Sequence, residues 1–161
     1  MTIRNSRPSD WDELMEIYAR ARQFMKETGN PLQWKDTDPA EHLVRRDIEL
    51  GHGYVCEIDG RIQCVFAFIP GEDPTYKVIH GAWLNDKPYH AVHRVASRGE
   101  VPGIAAQCLQ WCLEQCGNVR IDTHADNRPM QRVLEKTGFT PCGQVRMENG
   151  DPRIAYQKTI W

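Results

Sequence analysis

The sequence predicts one mixed α/β domain, with helices covering both faces of a largely antiparallel sheet in three α/β/α layers. Amphipathic helical segments are interspersed with strand-like segments along the chain, and two pairs of strands are separated by the turn signals of hairpins. A strand–helix–strand core lies between the two hairpins. The length of 161 residues suits a single hydrophobic core, so we assign residues 1–161 to one domain.

The composition excludes several functional classes. Hydrophobic residues make up 40% of the chain and charged residues 26%, as in ordinary soluble proteins, and the formal net charge of −2 gives no basic surface for a nucleic acid. No apolar run approaches the ~20 residues of a membrane span, and the N-terminus lacks the apolar region of a signal peptide. We therefore expect a cytoplasmic monomer or homodimer that binds neither nucleic acid nor membrane, with six reduced cysteines.

The flanking elements follow from periodicity, caps and turns. The first half contains a strand over residues 2–5, a helix capped by Ser9 with Asp12, a helix capped by Asp38 and ended by Gly51, and a hairpin of residues 53–58 and 61–69 turned at Asp59-Gly60. Residues 70–88 form a long irregular connection. A second hairpin, of residues 144–148 and 153–159, ends the chain.

The central unit begins with a strand over Tyr89–Ser97 and a turn over residues 98–103. The following helix has an apolar stripe at helical spacing, formed by Ile104, Ala105, Cys108, Leu109, Cys112, Leu113 and Cys116. Gly99 and Gly103 in the turn would leave backbone N–H groups free at the helix start, which suits a phosphate or pyrophosphate, although many such turns bind nothing. Neither a Walker loop nor Gly-x-Gly-x-x-Gly is present, so a nucleotide triphosphatase and a dinucleotide oxidoreductase are disfavoured.

The residues after this helix extend the pattern. A strand over residues 119–124 precedes a segment that runs from Asn127 to Gly138-Phe139. Here the sequence resembles the GNAT-type N-acetyltransferases, whose second motif matches Asn127, Met130, Leu134, Lys136, Gly138 and Phe139. Their first motif, Gln or Arg followed by x-x-Gly-x-Gly/Ala, matches residues 100–105 except that Glu100 replaces Gln or Arg.

The resemblance implies acetyl-CoA as the donor substrate, no metal, and a sheet that splays between its fourth and fifth strands beside a bulge in the fourth. The pantetheine arm would lie along Val95, Ala96 and Ser97. The pyrophosphate would lie on Val101, Pro102, Gly103, Ile104 and Ala105, with Asn127 and Met130 completing the cofactor site. Glu100 would have to point away from the pyrophosphate.

Transfer to an amine needs a neutral nucleophile, and because a lysine-like amine has a reference pKa near ~10.4, a base must remove a proton. Many family members use a Tyr as the acid for the leaving thiolate, but Leu134 occupies that position. The candidates are His93 and then His90 as base, and Tyr156 as acid, each with packing as the alternative role. Strand alternation predicts that His93 shares a face with Val95.

Loop aromatic residues and cysteines complete the predictions. Trp34, Tyr76 and Trp83 are candidates for the acceptor pocket, with hydrophobic packing as the alternative. We expect the three cysteines of the central helix to be core residues, because the outer pair lie ~12 Å apart and cannot ligate one zinc ion. The predicted function is acetyl transfer to a primary amine of a small molecule or peptide; the alternatives are a non-catalytic acyl-CoA-binding or sensing domain and an enzyme with another acyl donor.

Overall fold

Residues 1–160, which the computed structural model describes, form four α-helices and one eight-stranded sheet. In chain order the elements are β1 (Thr2–Asn5), a 3-10 turn (Pro8–Asp10), α1 (Trp11–Glu27), α2 (Glu41–Leu50), β2 (Gly53–Ile58), β3 (Arg61–Pro70), a 3-10 turn (Pro74–Tyr76), β4 (His80–Gly81), β5 (His90–Ser97), α3 (Ile104–Cys116), β6 (Asn118–Thr123), α4 (Arg128–Lys136), β7 (Thr140–Arg146) and β8 (Pro152–Thr159). None of these helices is long and apolar enough to cross a membrane.

The sheet order is β1-β2-β3-β5-β6-β8-β7-β4. Within residues 1–160, β5 and β6 are the parallel neighbours and the remaining pairs are antiparallel, which confirms the predicted mixed fold. Residues of α1 and α2 such as Leu14 and Val44 pack with one face of the sheet, and residues of α3 and α4 such as Leu109 and Leu134 pack with the other. The three layers are therefore as predicted.

Both N-terminal helices begin later than their predicted caps. The segment Pro8–Asp10 is a 3-10 turn, so α1 begins at Trp11 and Ser9 does not cap it. Asp38 likewise does not cap α2, which begins at Glu41 with Ala40 in the cap position. The predicted end of α2 is confirmed, since Gly51 adopts the left-handed conformation with φ 72°.

The first hairpin turns at Asp59-Gly60 as predicted, because Ile58 pairs directly with Arg61. In the second hairpin the predicted loop of residues 149–152 was wrong in its bounds: Arg146 pairs with Pro152, which leaves a loop of residues 147–151. The predicted irregular connection contains the short strand β4, whose Gly81 pairs with Gly143 of β7. A Cβ on Gly81 would lie 2.1 Å from the Cys142 carbonyl oxygen, so this close backbone contact requires glycine.

The strand that was predicted to be the fourth of the sheet is β5 in the structure, because the short strand β4 precedes it in the chain. Its pairing with β6 ends at Val92, beyond which the two strands separate as predicted. On the other side, β3 pairs with His93 and Ala96, so two β5 residues face one β3 residue in a bulge at Arg94, which has φ 54°. The bulge reverses the side-chain alternation. Val95 packs against the α3 side while His93 faces the other side, so their predicted common face was wrong.

Candidate active site

A groove of about 690 Å³ lies between the separated part of β5, the start of α3 and the start of α4. We call it the donor groove. Its lining includes all ten residues predicted for the cofactor, namely Val95, Ala96, Ser97, Val101, Pro102, Gly103, Ile104, Ala105, Asn127 and Met130. Most of these ten side chains are small or apolar, whereas the rest of the lining includes the charged side chains of Arg20, Glu27, Arg98 and Glu100.

The start of α3 offers backbone donors to an anion. Gly103 occupies the cap position with φ 77°, and an added Cβ there would meet no atom within 4 Å. The Gln107 N–H donates to the Gly103 carbonyl, whereas no hydrogen bond of the described residues uses the amides of Ala105 and Ala106. Free N–H groups and the positive end of the helix dipole fit a pyrophosphate. Glycine is thus required by its conformation, and the space in front of it is open.

Glu100 does not disturb this anion site. Its carboxylate accepts two hydrogen bonds from the Arg61 guanidinium, at 2.9 and 3.0 Å, and one from Gln63 Nε2 at 3.2 Å. These contacts lower the pKa of Glu100 to about 2. The side chain is therefore held against β3 as an ion pair, which neutralises its charge beside the groove.

A second cavity, of about 600 Å³, opens on the opposite face of the sheet, and we call it the acceptor cavity. Its lining comes from α1, the loop before α2, the end of β3, β5, β6 and the β7–β8 loop. It contains more acidic than basic side chains: Asp38, Asp73, Asp122, Glu148 and Asp151 against Lys35, Arg94 and Arg153. An acidic cavity favours a cationic ligand such as an amine.

The two cavities meet at the bulge. Met25, Val95, Asn127 and Met130 line both. Asn127 Oδ1 caps α4 by accepting from the Met130 N–H, and its Nδ2 donates to Gln33 Oε1 at 2.8 Å. Asn127 therefore links the start of α4, beside the donor groove, to the loop before α2, beside the acceptor cavity. The donor groove and the acceptor cavity are therefore neighbours at this junction.

His93 lies in the acceptor cavity between two carboxylates. Its Nε2 is 2.6 Å from Asp73 Oδ2, and its Nδ1 is 3.9 Å from Asp122 Oδ2. The Tyr76 hydroxyl donates to the same Asp122 oxygen at 2.6 Å. When Nε2 carries the proton and donates to Asp73, Nδ1 keeps its lone pair and can accept a proton.

The charges around His93 are fixed by its neighbours. Burial on its own would raise the pKa of Asp73, but hydrogen bonds from His93 and Thr75 lower it to about 2. Asp73 is therefore ionised at neutral pH. Burial, and then the Asp122 carboxylate, raise the pKa of Tyr76 well above its ordinary value, so its hydroxyl stays protonated and remains a donor.

Residues from α1 and α2 hold the bulge that presents His93. The Tyr18 hydroxyl donates to the Arg94 carbonyl at 2.9 Å, and the Arg94 guanidinium donates to both Asp47 oxygens at 2.8 Å. Arg94 has a left-handed backbone, which is unfavourable for a residue with a Cβ. These contacts from two helices stabilise that conformation.

The structure does not bring the other candidates for proton transfer into the cavities. His90 stacks on Phe68 with ring centroids 4.4 Å apart and lines neither cavity. Tyr156 is 3% exposed and lies in the core on the α3 side. Both side chains therefore pack against neighbouring residues and lie outside the two cavities. His124 acts as a loop anchor, because its Nδ1 accepts the Asp126 N–H.

Of the three aromatic candidates for the acceptor pocket, Trp34 lines the acceptor cavity, where it packs edge-on against Tyr18. Tyr76 and Trp83 do not line it: they pack on each other, and Trp83 Nε1 donates to the Tyr76 carbonyl. Tyr76 nevertheless contributes to the site through its hydrogen bond to Asp122.

Two of the three cysteines of α3 lie in the hydrophobic core, and the third, Cys116, is half-buried against it. Cys108 and Cys112 are 2% and 0% exposed and pack in the core cluster with Cys56 and Cys64 from the sheet. Burial raises the pKa of the Cys56 thiol to about 12, so it stays protonated at neutral pH. Within residues 1–160 no group of three or more His, Cys, Asp or Glu side chains could hold a metal ion.

The comparisons with known proteins agree with this geometry. A family model described as an acetyltransferase (GNAT) domain matches residues 1–140. The chain belongs to the GNAT acetyltransferase family. A GNAT-family acetyltransferase from Streptococcus agalactiae is 33% identical, with a TM-score of 0.90 over 99% of this chain and 95% of that one. The comparison with curated proteins found no match.

More distant GNAT structures share the fold. A GNAT-family acetyltransferase from Listeria monocytogenes is 18% identical with a TM-score of 0.72, over 99% of this chain and 94% of that one. The ribosomal-protein-alanine N-acetyltransferase from Brucella melitensis is 18% identical with a TM-score of 0.63, over 99% of this chain and all of that one. GNAT enzymes use acetyl-CoA as donor, and the chain has the fold of an acyltransferase.

One departure from the GNAT pattern concerns the acid for the leaving group. Leu134, which stands where many GNAT members have Tyr, is 0% exposed and forms part of the core. Asp73, Asp122 and Arg153 also line the acceptor cavity and were not among the predicted site residues. The Asp73-Pro-Thr turn signal and the polar Asp122 inside an apolar strand were the available indications.

Proposed function

We propose that the protein transfers the acetyl group of acetyl-CoA to a primary amine of a small molecule. The junction of the two cavities carries the proposal: the donor groove reaches the acceptor cavity at Val95 and Asn127, next to His93. Acetyl-CoA supplies a thioester, and its pyrophosphate fits the free amides at the start of α3. The acidic lining of the acceptor cavity suits the amine.

His93 is the proposed base. Asp73 orients the ring through Nε2, which leaves Nδ1 to accept a proton from the amine, directly or through water. The neutral nitrogen attacks the thioester carbonyl carbon, an N–C bond forms, and the C–S bond breaks. CoA leaves as a thiolate and takes up a proton. Because Leu134 supplies none, we propose that water passes to the thiolate the proton that the nitrogen loses as the amide forms, while His93 returns its own proton to the solvent.

The alternative is a domain that binds acetyl-CoA without transferring the acetyl group. The buried Leu134 favours it, since the usual acid is absent. The two proposals share the donor groove and differ only in turnover. They are therefore separated by kinetics and not by binding.

The test is a thiol-release assay with acetyl-CoA and a panel of amines, amino acids, polyamines and peptides, combined with calorimetry of acetyl-CoA binding. We expect binding, and thiol release that depends on the amine. Acetyl-CoA binding with no thiol release across the panel would favour the non-catalytic alternative. The same assay with propionyl-CoA and longer acyl-CoAs tests the choice of donor.

A further inference from the structure

Arg153 is a buried cation in the acceptor cavity that has no carboxylate partner. The residue is 8% exposed, and its guanidinium donates to the carbonyl oxygens of Pro152 at 2.9 Å and Gln33 at 3.3 Å. None of the ion pairs among the described residues includes it. Carbonyl dipoles offset only part of the cost of burying a charge. The cavity thus holds positive charge that is available to a ligand.

The other buried or half-buried arginines of residues 1–160 either are paired with carboxylates or line neither cavity. Arg98 is paired with Glu13 and Glu16, and Arg94 is paired with Asp47. Arg120 has no carboxylate partner either, but its guanidinium packs on the faces of two aromatic rings and it lines neither cavity. Among residues 1–160, Arg153 is therefore the buried arginine that lines a cavity and has no carboxylate partner.

The strand register sets the distance from Arg153 to the proposed reaction centre. Asp122 of β6 pairs with Ala155 of β8, and Arg153 is two residues from Ala155, so it projects from the same face of the sheet. Such diagonal positions lie ~7–8 Å apart between Cα atoms. His93 of β5 lies on the other side of Asp122. The proposed base His93, the carboxylate of Asp122 and the guanidinium of Arg153 thus come from three neighbouring strands, β5, β6 and β8.

We propose that the acceptor is an α-amino acid, with its carboxylate bound by Arg153 and its amino group held by Asp122 beside His93. This inference rests on the proposed acetyl transfer. An α-amino acid carries its ammonium and carboxylate on one carbon, which matches a carboxylate and an arginine at diagonal positions on the same face of the sheet. The planar guanidinium suits bidentate binding of a carboxylate. A peptide N-terminus lacks this adjacent carboxylate and fits less well.

The exposed charges of the cavity agree with this orientation. Lys35 is exposed and solvated, so it does not compete with Arg153 as a buried carboxylate site. Asp38 and Glu148 are exposed at the cavity, where they disfavour a second negative charge on the ligand. The expected acceptor therefore has a neutral or basic side chain.

The experiment compares amino acids with the amines that lack only the carboxylate: phenylalanine with phenethylamine, histidine with histamine, and lysine with cadaverine. Thiol release gives kcat/KM, and the ligand-induced shift in Tm gives binding without turnover. In the wild type we expect higher kcat/KM for the amino acids. Arg153→Gln should lower their kcat/KM by ~10–100-fold and leave the amines within a few-fold, because it removes only a charge-assisted contact. Arg153→Lys should restore part of the loss.

Arg146→Gln is the matched control, since Arg146 is exposed on the neighbouring strand and lines neither cavity. Equal or better turnover of the amines by the wild type would overturn the inference while leaving acetyl transfer intact, as would equal loss of both classes in a folded Arg153→Gln. If no compound releases thiol, the proposed transfer fails and the Tm shift decides the role of Arg153. Amino acids that stabilise the wild type but not Arg153→Gln would support carboxylate binding, and equal shifts in both proteins would refute it.

Discussion

The donor groove and the acceptor cavity meet at one junction but are built differently. The donor groove is formed mainly by two short segments, residues 95–106 and 127–133, and by one side of α1. At the start of α3 it offers free backbone amides to an anion, and the exposed Arg20 also lines it. The acceptor cavity takes charged side chains from segments that are far apart in sequence, such as Asp73, Asp122 and Arg153.

The backbone of the donor groove is part of the fold, whereas the charged side chains of the acceptor cavity can differ from one member of the family to another. We expect a groove built from backbone geometry to tolerate many side chains, and Glu100, which replaces the usual Gln or Arg, is held by Arg61 in an ion pair. A cavity built from charged side chains changes its ligand when a few of them change. Substitutions in the groove should therefore act through the backbone conformation, and those in the cavity through side-chain chemistry.

The largest expected effect is on donor binding. Gly103→Asp forces a residue with a Cβ into φ 77° and adds a negative charge where the pyrophosphate should bind. We expect acetyl-CoA binding to fall below detection by calorimetry. Gly60→Asp is the control, because Gly60 has φ 76° and open space but lies in a hairpin turn away from both cavities. Unchanged affinity in a folded Gly103→Asp would disprove this placement of the pyrophosphate.

The next effect tests the acceptor side. His93→Ala removes the proposed base and should lower kcat by ~10²–10⁴-fold while acetyl-CoA affinity stays nearly unchanged. His90→Ala is the control, since His90 lies on the same strand but packs on Phe68. Turnover by His93→Ala within a few-fold of the wild type would reject the role, and an equal loss in His90→Ala would reassign it.

The same contrast explains how much could be predicted from the sequence. The ten donor-groove residues were predictable because the turn, the cap Asn127 and the strand edge lie in two local motifs. The network of His93 with Asp73 and Asp122 was not predictable as a whole, because it joins three elements through tertiary packing. The prediction from side-chain alternation along β5 was also wrong beyond Arg94, since the bulge there is held by Tyr18 and Asp47 from helices that are distant in sequence.

A smaller effect, on stability, is expected in the hydrophobic core beside α3. Cys112 is fully buried on α3, so Cys112→Ala leaves a small void and should lower the free energy of unfolding by about 1 kcal/mol. Acetyl-CoA affinity should not change, because the groove depends on the backbone at the start of the helix. Urea unfolding and calorimetry measure the two quantities. Stoichiometric zinc in the purified protein, lost in Cys112→Ser, would contradict a purely structural thiol.

The smallest effect concerns two carboxylates whose pKa values are both lowered to about 2, Asp73 in the acceptor cavity and Glu100 beside the donor groove. A carboxylate whose pKa is lowered in the folded state stabilises the protein fully when the pH is above its ordinary pKa, 3.8 for Asp73 and 4.5 for Glu100. This stabilisation is lost as the pH falls toward 2. Asp73 has a side chain 16% exposed, whereas Glu100 is 39% exposed and its ion pair is screened by solvent.

Asp73→Asn should therefore flatten the loss of stability between pH 4 and pH 2 more than Glu100→Gln does. Asn keeps an oxygen for the Thr75 N–H, so the local turn is retained while the charge beside His93 is removed. Urea unfolding of both variants and the wild type across this range measures the slopes. A larger change in Glu100→Gln would mean that the ion pair beside the groove is the stronger one, and that charge does not distinguish the acceptor cavity from the donor groove.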